Sequence, residues 1–187
     1  MKKFILSILV LAIGITAVAE ERKYSIKSGV MKTVTTILGQ KTEGILYFED
    51  YGNLECTQNK AISNGSEKVE MSVISKDGKM YIVHYGMKQV QEMPMQESIN
   101  YLNLNPDIIK KYNIQDLGKG MIDDKECTKY SAVVSQAGQT ANVVVWIWQG
   151  IPMKSITSSG GLSITVEVVE LQSDRPVDPS IFEIPSF

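Results

Sequence analysis

Two cysteines and one histidine are the residues of this chain that could most readily do chemistry. Cys56 in NLECTQ and Cys127 in KECTKY lie far from each other and from His84, so the three do not have the spacing of a structural zinc site, and we expect no metal. A disulfide between the cysteines would close a loop of about 70 residues and contribute roughly 4 kcal/mol. As separate buried thiols they would pack like small apolar residues. Both interpretations are open.

Catalytic motifs are missing around the other polar residues. His84 lies on a predicted strand, without a nearby nucleophile or metal-binding motif. Asp123 and Asp124 are typical of a solvated turn, and the segment SSGGLS, residues 158–163, lacks the lysine and the following helix of a phosphate-binding loop. We therefore expect a protein that is not an enzyme and needs no cofactor.

The first residues predict export. MKKFILSILVLAIGITAVA has two lysines, an uncharged run and the final triplet Ala17-Val18-Ala19, which is typical of a signal peptide cleaved before Glu20. No cysteine near this junction could accept a lipid. We expect a signal peptide over residues 1–19 and one periplasmic or secreted domain over residues 20–187, with no transmembrane segment after cleavage.

The charge of the exported chain argues against one class of partner. Without Lys2 and Lys3, 17 basic side chains remain against 21 acidic ones, a net charge of about −4. Binding of phosphates requires clustered lysine and arginine, whereas the lysines here are scattered and only Arg22 and Arg175 accompany them. We therefore expect no nucleic-acid partner.

Alternation of apolar and polar residues predicts a large antiparallel sheet. GILYFEDYGN predicts a strand that turns at residues 51–53, and KVEMSVISKDGKMYIVHYG predicts a hairpin around Asp77-Gly78. Further strands are predicted at KECTKYSAVVS, Asn142–Trp148, Met153–Thr157 and LSITVEVVE, with weaker patterns at Tyr24–Gly29 and Met31–Leu38.

One segment has helical spacing. In NPDIIKKYNIQDLGKG, Asn105 can cap a helix that starts at Pro106, and we expect Ile108, Ile109 and Tyr112 to cover one face of the sheet.

The stretch before that helix, GMKQVQEMPMQESINYLNL, has no clean period, and Met93 and Met95 flank its proline. We expect a loop or a broken helix there.

The two tryptophans stand in VVVWIWQG. Val144, Trp146 and Trp148 point to one face of a predicted strand, and the apolar residues between them point to the other. A strand that is apolar on both sides is covered on both sides. The tryptophans either fill the core or line the wall of a cavity.

The quoted strands, the segment DLGKGMIDDKECTKYS and the ending VDPSIFEIPSF resemble the DUF4412 group of exported bacterial proteins. More distantly they resemble the lipoprotein carrier LolA and its LppX and LolB-like relatives, over residues 24–187. The resemblance implies an α+β, mainly β fold: a curved antiparallel sheet, a half-barrel, with one or two helices on the concave side over an apolar cavity. LolA proteins carry acylated lipoproteins, but the arginine that they keep on an early strand is missing from EGILYFEDYGNLE.

These observations favour a periplasmic, non-enzymatic binding protein for a lipid, an acyl chain or a lipoprotein-like ligand. The alternative is an interaction module with a filled core that binds another envelope protein and no ligand. A cavity of several hundred cubic ångström would favour the first, and close packing the second. The candidate cavity residues are Val144, Trp146, Trp148, Ile108, Ile109, Tyr112, Met93 and Met95.

Overall fold

Strands make up most of the chain. The structure, a computed structural model, describes residues 22–63, 66–95, 98–136 and 139–187, so the predicted signal peptide lies outside the described residues. The strands are β1 (Gly29–Ile37), β2 (Gln40–Glu49), β3 (Leu54–Ser63), β4 (Ser66–Lys76), β5 (Lys79–His84), β6 (Gln89–Pro94), β7 (Gln115–Ile122), β8 (Lys125–Gln136), β9 (Gln139–Trp148), β10 (Ile151–Ser159) and β11 (Leu162–Ser173). One helix, α1 (Pro106–Lys111), and two 3-10 turns, Asp50–Gly52 and Pro179–Phe182, accompany them.

All eleven strands belong to one antiparallel sheet. Their order is β6-β5-β4-β3-β2-β1-β11-β10-β9-β8-β7, so β1 and β11 lie near the centre and β6 and β7 form the two edges. The edges do not pair with each other, and the sheet is therefore open. This confirms the prediction of a mainly β fold with a large antiparallel sheet, which matches a curved half-barrel.

Tight turns between consecutive strands produce this order. At the predicted hairpin between β4 and β5, Asp77 and Gly78 both have positive φ values, 52° and 71°. Two such residues form the turn whose twist matches that of the flanking strands, and glycine adopts this conformation without steric cost. Lys76 pairs with Lys79 across the turn, which confirms the predicted hairpin.

Three strands, β3, β6 and β7, were not predicted, because β3 is largely polar and edge strands need not show a regular alternation of apolar residues. The stretch predicted as a loop or a broken helix contains β6, so that prediction was wrong for residues 89–94. Residues 24–28 form no strand. They lie across the upper end of the sheet, the end at which β1 begins, where Ser25 N donates to Gln149 O at 3.0 Å and Tyr51 N donates to Lys27 O at 2.9 Å.

Two apolar clusters stabilise the sheet, and at β2 they lie on opposite faces, since Phe48 belongs to the first and its neighbour Tyr47 packs against the second. The buried members of the first cluster are Tyr24, Ile26, Met31, Phe48, Cys127, Ile151, Met153 and Val168. Those of the second are Cys56, Ile74, Val83, Val177 and Phe182. Val177 and Phe182 come from the C-terminal segment, which therefore covers one face of the β3–β5 half of the sheet.

The two cysteines are free thiols in different clusters. Cys56 on β3 and Cys127 on β8 are both buried, and five strands separate β3 from β8 in the sheet. The structure therefore agrees with the second interpretation, in which the two cysteines are separate buried thiols. Burial raises the pKa of Cys56 to about 11, and burial also raises the pKa of Cys127, so both thiols are protonated at neutral pH.

Candidate functional site

The tryptophans lie in a row of cations and aromatic rings. Trp146 and Trp148 are partly buried against the first cluster, on the same face of β9 as Val144. Lys129 of β8 and Lys154 of β10 pair in register with Trp146. Their Nζ atoms lie 4.7 Å and 5.9 Å from the centroid of the indole ring, within the range of a cation–π interaction.

The opposite face of β9 is covered by other residues. Val145 and Ile147 point to that face and are 3% and 7% exposed. Tyr130 of β8 pairs with Val145, and Tyr101 stacks on Tyr130 with ring centroids 5.5 Å apart. The face of Val145 and Ile147 is therefore covered, as predicted, whereas Val144, Trp146 and Trp148 on the other face stay partly exposed, so the prediction of a strand covered on both sides is confirmed for one side only.

The segment that carries α1 lies on the side of Tyr130, not on the side of the tryptophans. This connecting segment, residues 98–114, leads from β6 to β7, and β6 and β7 are opposite edges of the sheet. Met95 N donates to Gly78 O in the β4–β5 turn, while Tyr101 stacks on Tyr130 of β8, so the chain passes from one half of the sheet to the other. The structure does not bring the helix residues and the tryptophans together on one wall.

The predicted helix is present, with its predicted cap. The side chain of Asn105 accepts a hydrogen bond from Ile108 N at 2.9 Å. No residue of α1 is buried, Ile108 and Tyr112 are partly exposed, and Ile109 is 39% exposed. Beyond the helix, the carbonyl of Tyr112 accepts a hydrogen bond from Val133 N at 2.7 Å, next to the point where β7 begins to pair with β8.

The methionine candidates lie in the other half of the sheet. Met93 of β6 pairs with Met80 of β5, and Val73 of β4 pairs with Ile82 of β5. All four are partly exposed and point away from the second cluster, which holds their strand neighbours Ile74, Val83 and Val90. We call Val73, Met80, Ile82 and Met93 the apolar strip. Met95 lies just beyond it, with its N–H donating to Gly78 O at 3.2 Å.

The apolar strip continues toward the first cluster. Val73 pairs with Thr57, which pairs with Leu46, and Leu46 packs against the first cluster. The sequence analysis did not name Val73, Met80 or Ile82 as site candidates. The sequence feature that could have identified them is the apolar residues on both faces of β4 and β5, a pattern typical of strands covered on both sides.

A groove of about 420 Å³ lies at the lower end of β4 and β5. It contains none of the predicted site residues. Its lining residues are Lys68, Val69, Glu70, His84, Tyr85, Gly86 and Met87. This lining mixes charged and apolar side chains, and within the described ranges His84 has no hydrogen-bond or ion-pair partner that could orient it as a base.

The described ranges contain no cluster of metal ligands and no helix able to span a membrane. Among residues 22–63, 66–95, 98–136 and 139–187, no three or more histidine, cysteine, aspartate or glutamate side chains are grouped so that they could hold a metal ion. In those ranges no helix has both the length and the apolar character to cross a bilayer.

Comparison with known proteins gives matches in structure only. No family model and no curated protein matches the chain. It is similar in fold to an uncharacterised conserved protein from Thermus thermophilus, with 10% identity and a TM-score of 0.57 over 86% of this chain and 87% of that one. It is also similar to a chain of the MucA/MucB complex of Pseudomonas aeruginosa, with 13% identity and a TM-score of 0.56, covering 84% of this chain and 56% of that one.

The matches also include a relative that the sequence resemblance named. Lipoprotein LppX of Mycobacterium tuberculosis aligns with 13% identity over 82% of this chain and 90% of that one, at a TM-score of 0.41. At these identities the two matches with TM-scores above 0.5 show a shared fold, and they carry no information about ligands. Membership of the DUF4412 group stays a prediction.

Proposed function

We propose that this chain is an exported, non-enzymatic binding protein of the bacterial cell envelope. Its ligand is a lipid, an acyl chain or the acylated part of another molecule, held against the apolar strip. The connecting segment crosses the sheet over this ligand as a cover, and α1 belongs to that cover on the concave side.

The observation that carries this proposal is the difference between the two faces of β4 and β5. On one face Ile74 and Val83 are fully buried by the C-terminal segment. On the other face Val73, Met80 and Ile82 are partly exposed. Because an apolar sheet face is unfavourable in water until a second layer or a ligand covers it, the exposed face supports a binding role.

The chemistry of the strip suits an unspecific apolar ligand. Met80 and Met93 pair directly, and their unbranched thioether side chains adapt to ligands of different shape. No charged residue is part of the strip, so an acyl chain could lie along it without desolvating an ion.

Two measurements test the proposal. Native mass spectrometry of the protein purified from the periplasm should detect a bound lipid, and the neutral fluorescent probe N-phenyl-1-naphthylamine should bind in the micromolar range. Ile82→Asn should weaken binding of the probe. The matched control is Ile164→Asn, which changes another partly exposed strand isoleucine, on β11, far from the strip. If neither a lipid nor the probe is bound, or if both variants weaken binding equally, the proposal is wrong.

A second function, binding of another envelope protein, is favoured by the edge strand β7. This strand pairs only with β8 in the sheet, and its Leu117 and Met121 are 45% and 61% exposed. A free edge with exposed apolar side chains can pair with an extended segment of another protein. A photo-crosslinking amino acid at position 121 should then capture a single partner in cells, whereas one at exposed Met87 should not. Equal labelling from both positions would count against this function.

A further inference from the structure

A second candidate site is the row around Trp146, on the half of the sheet away from the apolar strip. Lys129, Trp146, Lys154 and Glu167 pair in register across β8, β9, β10 and β11. All four are partly exposed. Two ammonium groups therefore flank one indole ring that is accessible to a ligand.

The charges of this row do not balance. Lys154 Nζ forms an ion pair with Glu167 Oε1 at 3.0 Å, and 27% and 42% of their side chains are exposed. Lys129 has no carboxylate partner among the described residues, and its ammonium group lies over the face of Trp146. The row thus carries one uncompensated positive charge beside an aromatic surface.

The indole N–H supplies a further donor. Among the described residues, no group accepts a hydrogen bond from Trp146 Nε1. No side-chain nitrogen without a partner is fully buried there, so Nε1 reaches solvent. The residue next to it is Gly120 of β7, where a Cβ atom would come within 3.4 Å of Nε1. Because position 120 has no side chain, the N–H edge of the ring is left open.

The neighbouring row is apolar. Val144 of β9 pairs with Ile156 of β10, on the same face as Trp146, and both are partly exposed. An aliphatic chain could lie on this pair while its charged end reaches Lys129 and the indole N–H.

From these observations we infer that this row binds an aliphatic monocarboxylate. The carboxylate accepts hydrogen bonds from Lys129 Nζ and Trp146 Nε1, and its chain lies along Val144 and Ile156. A single negative charge matches the single uncompensated lysine, whereas a phosphate dianion would carry excess charge beside Glu167. The site is separate from the apolar strip, so it does not depend on the proposed function.

The test follows the indole N–H signals by NMR during titration with hexanoate. Two tryptophans give two such signals, which a Trp148→Phe variant assigns. Hexanoate should shift the signal of Trp146 to saturation, and hexanol should not. Lys129→Gln should weaken binding about tenfold, since loss of one hydrogen bond to a charged group has about that effect.

Two further variants separate binding from damage to the fold. Lys129→Arg should retain binding, and Gly120→Ala should weaken it by covering the indole edge. The matched control is Lys119→Gln, because Lys119 pairs with Thr128 and so lies on the other face. The inference is overturned if hexanol binds as well as hexanoate, if Lys119→Gln weakens binding as much as Lys129→Gln, or if inorganic phosphate binds more tightly than hexanoate.

Discussion

Two isoleucines on opposite faces of the β4–β5 hairpin allow a direct test of the apolar strip by stability. Ile74 is fully buried in the second cluster, and Ile82 is a partly exposed member of the strip. The same substitution, to alanine, removes the same atoms at both positions. The difference in cost therefore reports how well each face is packed.

The magnitudes follow from burial. Ile74→Ala removes a side chain that pairs with Cys56 and Tyr81 beneath the C-terminal segment, and it leaves a cavity there. Such substitutions cost about 2–5 kcal/mol, and we expect about 3.5 kcal/mol for a site with no exposure. At Ile82 part of the side chain already contacts solvent and no closed cavity can form, so we expect about 1–1.5 kcal/mol.

Urea unfolding, monitored by the fluorescence of the two tryptophans, measures both costs. With a slope of about 2 kcal/mol per molar urea, Ile74→Ala should lower the midpoint by about 1.5–2 M and Ile82→Ala by about 0.5–0.8 M. The slope itself should stay unchanged, which shows that the native fold is kept. Equal midpoint shifts would refute the reasoning, because they would mean that the strip is packed as tightly as the second cluster.

Other positions give independent predictions. Gly150→Ala should lower the free energy of unfolding by more than about 2 kcal/mol, as measured by thermal unfolding, because Gly150 has φ +84° and a Cβ would lie 2.3 Å from the backbone oxygen of Lys23. Gly160→Ala is the control. No atom lies within 4 Å of a Cβ there, so it should cost only about 1 kcal/mol. Cys56 and Cys127 should not react with a thiol reagent at pH 8 until the protein unfolds, and rapid labelling of the folded protein would contradict their burial. Because the folded pKa of Cys56 is about 11 against an ordinary 9.0, the unfolded state loses that proton first, and the free energy of unfolding should fall as the pH rises from 9 to 11. N-terminal sequencing of the exported protein should begin at Glu20, and a full-length membrane-bound product would argue against signal cleavage.

Local patterns were sufficient for much of the fold. The Asp77-Gly78 turn, the alternation in LSITVEVVE and the Asn105 cap each act over a few residues, so the sequence alone predicted the hairpin, a central strand and the helix. The edge strands β6 and β7 carry no such pattern. Their pairing is supplied by β5 and β8, and short polar or glycine-containing segments become strands only beside a neighbour.

The candidate site, too, was predicted only in part from the sequence. The sequence determined that Trp146 and Trp148 share one face of a strand, because side chains alternate with period two. It did not determine that Lys129 and Lys154 would flank Trp146, since register depends on turns and bulges in other parts of the sheet.

The sequence by itself determined the residue types, the alternation of faces and most of the turns, since these depend on neighbours along the chain. Tertiary structure alone decided that the C-terminal segment buries Ile74 and Val83 while Val73 and Ile82 on the other face stay partly exposed. It also decided that Cys56 and Cys127 lie in separate clusters. Contacts between segments a hundred residues apart depend on the global path of the chain, for which period-two alternation contains no information.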